Sequence, residues 1–540
     1  MTATIHELNS TKELSQRSDD VQDESAGEPE ILQISPFSFI SLMVGISLAV
    51  FLIALDRTII ANAIPLITDE FNSPDDAGWY GSAAITKYLL TACAFQPIFG
   101  RVFAHFDIRW SFLAALLIFE LGSLICGVAP NSDVLIIGRA LAGIGCAGVF
   151  AGCLVIIAMT TSLSVRPVYM GVIGSVSGIG NVCGPLIGGA FTSNATWRWC
   201  FYINLPVGGV TCILLLLFFH PSKSNRGQER FLTRVLRLDL IGNFILTVTV
   251  VMLLLALQWG GIEYGWGSSR IIGLLAASGV GFVIFGLWQH RKGTEALTPL
   301  YIMTQRGVAA GIGVMFFLSG AFLVHSYYLP YWFQAVRGRT PVQSGVDVTP
   351  YVATTFVFSM LAGIAVRKIG YFTPPSILGC AIGCVGCGLL TTLQVDTGTA
   401  VWAGYQVLTS AGMGMTMQQP IIAVQATIDP ALVSIGSAII LFAQGLSGAI
   451  FVSVANNILR NELARKLVAL NVPNVNKILA AGATDVRELV PLEYKAPLVE
   501  AYNDALMKVF MMAIPLCGIA LLFALRLPWV NLKKNQAGKT

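Results

Sequence analysis

Long apolar runs separated by short polar breaks dominate the chain. Fourteen can be counted, at roughly 38–61, 79–99, 110–129, 134–158, 168–192, 200–220, 239–258, 270–289, 309–333, 348–366, 373–393, 399–424, 433–456 and 508–528. Each is close to the about 20 residues that a helix needs to cross a bilayer. The runs are continuous and lack a period of two, so they predict helices and not a barrel. The expected fold class is an all-α integral membrane protein. One run, Gly171–Ala190, reads GVIGSVSGIGNVCGPLIGGA, with seven glycines and one proline. In water each glycine costs about 1 kcal/mol against alanine and an interior proline about 3. In lipid the backbone cannot unpair into solvent, so packed neighbours keep such a segment helical. Gly180, Gly184 and Gly188 form a bare ridge that lets two backbones approach. Pro185 removes one hydrogen bond and invites a bend. The segment predicts a bendable contact helix between two parts of a moving protein.

The breaks between runs orient the chain. Hydrophobic residues make up 55% and charged residues 11%, against roughly 25% charged in a soluble domain. The net charge of +4 does not point to nucleic acid, because the bases sit between spans. Arg101, Arg109, Arg166, Lys223, Arg226, Arg230, Arg234, Arg237, Arg291, Lys292, Arg306, Arg367 and Lys368 all fall in alternate loops, and Arg337 and Arg339 are exceptions. This positive-inside bias predicts both termini in the cytosol. Residues 1–35 hold eight Asp/Glu against two Lys/Arg and no cleavable signal, which predicts a disordered acidic tail. The eleven cysteines lie mostly in apolar runs, against a disulfide framework.

Two loops look alike. Phe99–Phe112, FGRVFAHFDIRWSF, and Ala362–Phe372, AGIAVRKIGYF, each pass from a glycine through a short basic stretch to an aromatic start of the next run. If both are 2–3 connections, residues 36–220 and 309–528 are parallel six-helix halves. Residues 221–238 are then a basic linker, 239–290 two extra helices, 457–507 an outer loop of mixed charge, and 529–540 a cytosolic tail.

Ionisable groups inside the runs are the candidate chemistry, since buried charge in a membrane is expensive and usually employed. Asp56 lies about 27 Å from the inner face and Arg139 about 8 Å below the outer face at 1.5 Å per residue. They can pair and titrate as one coupled unit, so separating them invites a proton. The alternative is a static structural pair. Glu120, near the middle of the third run, is either a second proton site or an inter-helix hydrogen bond. Lys87 and His325 carry weaker signals. Asn62, Gln418, Gln419, Gln425 and Gln444 can line a substrate path or simply bond across helices. Gly143–Gly148 matches GxGxxG but lies mid-membrane with no strand before it. Cys380, Cys384 and Cys387 share a helical face without His or carboxylate neighbours, so no metal site is expected. Gly538-Lys-Thr lacks the upstream glycine of a phosphate loop. Asn194-Ala-Thr is a weak glycosylation acceptor because it hugs the membrane. No nucleophile, base and metal cluster points to an enzyme. No cofactor is expected, and work must draw on a gradient.

These residues resemble the major facilitator superfamily, specifically its fourteen-helix drug:proton antiporters of fungal type, from about residue 36 to 528. Leu55-Asp-Arg-Thr-Ile-Ile-Ala-Asn-Ala-Ile-Pro65 is similar to the LDxTIVxxALP signature, and Gly138-Arg-Ala-Leu-Ala-Gly-Ile-Gly145 to the span-4 arginine motif. Gly180-Asn-Val-Cys-Gly-Pro-Leu-Ile-Gly-Gly189 resembles the antiporter motif of span 5, and Trp197-Arg-Trp-Cys-Phe-Tyr-Ile-Asn-Leu-Pro206 resembles WRWxFxINxP. The resemblance implies two six-helix bundles plus two extra central helices. It implies proton coupling at Arg139, which joins the candidates Asp56 and Glu120, a hinge at Gly180, Gly184, Pro185, Gly188 and Gly189, and a gating loop with Gly100, Arg101 and Arg109. Ala104 and Asp107 depart from that loop's usual aspartate and glycine, and span 2 with Lys87 looks about one turn longer than usual. The implied activity is proton-coupled export of small amphipathic organic compounds, such as fungal toxins or drugs, by a monomer in the lipid bilayer, at the plasma membrane or the vacuole. Rivals are a proton-coupled importer, for example of siderophores, and a non-transporting receptor.

Overall fold

The computed structural model describes residues 32, 34–60, 63, 66–67, 70–71, 85–221, 231–261, 263–470, 472, 475–480 and 492–533. The acidic tail therefore lies outside the described residues except at 32, 34 and 35. Most of the basic linker, the side chain of Lys87, and Asn62 lie outside them too.

Each apolar run becomes a helix. The first half contains α1 (Pro36–Ile59), α2 (Ile85–His105), α3 (Ile108–Gly127), α4 (Ser132–Thr160), α5 (Arg166–Asn194) and α6 (Trp199–Phe218). Then come α7 (Leu240–Trp259) and α8 (Ser269–Lys292). The second half contains α9 (Arg306–Ala335), α10 (Thr349–Ile369), α11 (Thr373–Leu390), α12 (Thr399–Met417), α13 (Val433–Ala469) and α14 (Lys495–Leu525). Among the described residues, twelve helices are long and apolar enough to cross a membrane by themselves. The other two are α2, which packs against α4 and α13, and α12, which packs against α10 and α11.

Local chemistry sets the helix ends. Ser35, followed by Pro36, accepts from Ser38 N to start α1, and Asn131 accepts from Val134 N to start α4. Asp107 caps α3 through Trp110 N at 3.1 Å, a use that a glycine there could not serve. Gly370, at φ 87°, ends α10 in the left-handed region that only glycine adopts freely.

The packing pairs repeat between the halves. α3 lies on α4 as α11 lies on α12, α2 on α4 as α10 on α12, and α1 on α5 and α6 as α9 on α13 and α14. Bare backbone permits the closest of these contacts: a Cβ on Gly122 would meet Ala142 N at 2.4 Å, and one on Gly386 would meet Thr409 Cα at 2.4 Å. The halves meet through α5 against α10 and α2 against α13, each being a fifth helix on the other half's second. These seams concentrate toward the end that carries Arg101, Arg166 and Arg367, the basic end. There Gly363 abuts Pro167, Gly100 abuts Ala438, and Arg166 Nη1 donates to Gln425 at 3.3 Å.

The extra pair sits beside one seam. α7 packs on α8, α2 and α13. Asp239, at φ 50°, organises the turn into α7: its carboxylate accepts from Gly242 N, Trp288 Nε1, Gln289 Nε2 and Leu297 N.

Two boundaries differ from the sequence reading. The outer loop expected at 457–507 is largely helix, because α13 runs on to Ala469 and α14 begins at Lys495. Leu459, Leu463 and Leu467 form a buried stripe against Leu498, Tyr502 and their neighbours. Glu462 pairs with Lys508 at 3.5 Å, and Lys466 with Asp504, on the wet side. The mixed charge that looked like a loop is the polar face of an amphipathic helix pair.

Candidate functional site

Asp56 stands one turn from the end of α1, and Arg139 in the second turn of α4, both on the end away from the basic loops. Both are fully buried. Arg139 Nη1 donates to Oδ1 at 2.9 Å and Oδ2 at 2.8 Å, and Nη2 to the Asp56 carbonyl at 3.5 Å. Ion pairs of this kind offset their desolvation only when further hydrogen bonds satisfy them. Asn204 of α6 supplies one: its Nδ2 donates to Asp56 Oδ1 at 3.1 Å and to Ser123 Oγ of α3 at 3.0 Å. Three helices, α1, α4 and α6, thus meet at one carboxylate, and α3 joins them through Ser123. Tyr88 of α2 closes the site, its ring 4.4 Å from the Arg139 guanidinium.

Sequence reasoning missed Asn204, Ser123 and Tyr88. Asn204 lies within the quoted WRWCFYINLP stretch, and a polar amide inside an apolar run was the available signal. Glu120 does not join the pair. It sits on α3 against α6, where a Cβ on Gly208 would meet its Oε1 at 1.8 Å, and neither carboxylate oxygen has a hydrogen-bond partner. It is one turn from Ser123 along α3.

The glycines of α5 serve two neighbours. The ridge of Gly180, Gly184 and Gly188 packs on α1, within its own half: added Cβ atoms would meet Ala54 Cβ at 2.8 Å, Thr58 Oγ1 at 1.9 Å and the Ile59 carbonyl at 2.3 Å. The contact between halves falls instead to Gly171, Gly174 and Gly178, which face Met360, Gln418 with Ser359, and Phe356. Pro185 lies inside a helix that continues unbroken through Gly189 to Asn194.

Gly100 lies on the α2–α13 seam. Arg101 is buried and donates to the carbonyls of Thr294, at 2.7 Å, and Ala296, in the connection from α8 to α9. Arg109 turns the other way and donates to the Leu216 carbonyl of α6. The loop's two arginines therefore hold different neighbours.

Gln418 faces Gly174 across the α5–α10 seam, at the break between α12 and the short helix Gln419–Thr427. Gln419 is buried and donates to Met415 O at 3.0 Å. Gln444 is half-buried on α13 beside Gly445, which packs on Cys93 of α2. His325 is buried on α9 with its ring 5.3 Å from Phe510, away from the pair. Asn194 is exposed and donates to Ala190 O at 3.0 Å, at the end of α5. Among the described residues, no group of three or more His, Cys, Asp or Glu could hold a metal.

Comparison with known proteins adds an independent line. The model of the Major Facilitator Superfamily matches residues 46–452. The efflux pump aflT of Aspergillus parasiticus is 44% identical over 506 residues, covering 93% of this chain and 98% of that protein. The MFS-type efflux pump MFS1 of Arthroderma benhamiae is 44% identical over 501 residues, 92% of each chain. The MFS-type transporter VdtG of Byssochlamys spectabilis is 43% identical over 509 residues, 94% of this chain and 90% of that one. Among solved structures, the proton:xylose symporter XylE superposes with a TM-score of 0.59 at 15% identity, over 92% of this chain and 98% of that one. A bacterial homolog of the human lysosomal transporter Spinster gives 0.55 at 15%, over 91% and 98%. At such identities the structural likeness is one of fold.

Proposed function

The chain belongs to the major facilitator superfamily, and from that premise we propose that it is a proton-coupled exporter of small amphipathic organic compounds working by alternating access. It is a multi-pass integral membrane protein. The relatives named as efflux pumps support the direction of transport. The observation that carries the coupling is the buried Asp56–Arg139 pair bridging α1 and α4. Protonating Asp56 weakens its hold on Arg139 and on Asn204, which loosens the junction of α1, α3, α4 and α6 at one stroke. With the basic end in the cytosol, the pair lies toward the outer face, where an entering proton reaches it first. Each inward charge moved is worth about 2.3 kcal/mol per 100 mV before any pH gradient. Glu120, whose buried carboxylate oxygens have no hydrogen-bond partner, holds a second proton in this reading. The plasma membrane is the proposed location, and a monomer the working unit.

Purified protein in liposomes tests this. An imposed pH gradient should drive accumulation of a fluorescent amphipathic compound beyond that seen in protein-free liposomes. Asp56→Asn should abolish accumulation while the protein still elutes as one species on gel filtration. Uphill movement without any gradient, or equal accumulation by Asp56→Asn, would overturn the proposal.

A further inference from the structure

The charged residue next to Asp56 has no part in the ion pair. Arg57 is half-buried near the end of α1. Its Nη2 donates to the Cys146 thiol of α4 at 3.4 Å, a weak acceptor, and its guanidinium lies 5.9 Å from the Tyr88 ring. Its Nε is buried without a partner. No carboxylate among the described residues lies within ion-pair distance of it.

Arg57 does not face lipid. The outward stripe of α1 is Phe37, Ile40 and Val44. At about 100° per residue, Arg57 falls on the far side, in line with Ile46, Val50 and Ile53 at spacings of four, three and four. Those three are fully buried, whereas Arg57 keeps accessible surface. Its neighbours Tyr88 and Cys146 are themselves buried residues of α2 and α4. Arg57 therefore lies on the side of α1 that faces the interior of the bundle and not acyl chains.

Around the Tyr88 ring, donors outnumber acceptors. Two guanidiniums flank it, at 4.4 and 5.9 Å. One carboxylate, Asp56, serves only Arg139 and Asn204. The Tyr88 hydroxyl is buried and unpartnered, as are Nε of Arg57 and of Arg139. Glu120 is turned toward Gly208 and pairs with neither arginine. Among the described residues the cluster carries an excess positive charge, and Arg57 is the one of its two arginines that keeps accessible surface.

We propose that Arg57, with the Tyr88 hydroxyl, recognises the ionised acidic group of the exported compound, so that the substrates are amphipathic organic anions bearing a carboxylate or the enolate of a 1,3-dicarbonyl. The proposal rests on the exporter reading and names the substrate class for it. A planar guanidinium fork matches a planar two-oxygen anion, which an ammonium does not. Such an anion beside Asp56 also ties cargo to coupling: it occupies the positive field that otherwise falls on the Asp56 carboxylate alone.

Binding to purified protein in detergent tests this without any transport. 1-Pyrenebutyrate and its methyl ester share a ring system and differ in charge at one group. The wild-type protein should bind the acid at least tenfold more tightly than the ester. Arg57→Gln should bring the two within about threefold, Tyr88→Phe should fall between, and Arg57→Lys should retain more of the preference than Arg57→Gln. A helical circular dichroism spectrum and a single gel-filtration peak establish that each variant is folded. Equal binding of acid and ester by the wild type, no saturable binding of the acid, or full preference retained in Arg57→Gln would overturn the proposal. So would loss of the preference in 150 mM chloride with none in gluconate, which would assign the site to an inorganic ion. A protein that binds the acid selectively but never moves it sinks the exporter reading alone. One that pumps and binds both forms alike sinks this one.

Discussion

At the scale of single residues, placement decides what a charge can do. Arg139 gives one nitrogen to both oxygens of Asp56 in a dry site, whereas Glu70 meets Arg198 at 2.9 Å with nearly half its side chain exposed. Glu70 also accepts from Trp197 Nε1, and this hydrogen bond, with the Arg198 charge, holds its carboxyl below the ordinary 4.5. The folded protein therefore binds the proton less readily than the unfolded chain. Its contribution to stability is complete above the ordinary value and is lost as pH falls through the depressed one. Glu70→Gln should melt below the wild type at pH 7, and thermal melts taken down to pH 3 should show the two converging. A gap that stays constant with pH would count against the assignment. The Asp56–Arg139 pairing could be read from the sequence, because ionisable residues in apolar runs are few and their depths matched. Asn204 could not, since a neutral amide in an apolar run has many uses. Nor could the isolation of Arg57, which depends on where its neighbours point.

At the scale of helices, α5 shows what periodicity reveals and what it leaves open. The glycine ridge was plain in the sequence, but not which neighbour it meets. Two glycine faces exist, and the structure gives α1 one and α10 the other. They differ in what opposes them. On the α1 face the nearest atom to Gly188 is the Ile59 carbonyl, which is backbone and cannot swing aside. Overpacking of this kind typically costs about 1–3 kcal/mol. Gly188→Ala should therefore lower stability by that order in thermal unfolding, while Gly209→Ala, with nothing within 4 Å of the added Cβ, should leave it unchanged or raise it. The extension of α13 was hidden for a different reason. Beyond residue 456 the apolar positions thin to one stripe, and a one-sided helix outside the membrane has a loop-like composition.

At the scale of the whole molecule, two halves with matching internal contacts are joined by two seams near one end. Arg101 and Asp239 fasten the additional helix pair beside one of those seams. The repeat was visible only as two similar loops, because helix-to-helix contacts leave little trace in a string of apolar residues. The 37 residues of α13 span about 55 Å at 1.5 Å per residue, against a hydrocarbon core of about 30 Å. The surplus stands clear of the bilayer on the side away from the basic loops and is buttressed by the start of α14. It is a stiff pointer that belongs to the second half. For every degree by which that half rocks about the seam, a tip about 55 Å away sweeps roughly one ångström. Spin labels at Val468 and on the first half should therefore register the transport cycle as a distance change that labels nearer the seam do not. A tip that holds still while cargo moves would mean that the halves do not swing as rigid bodies.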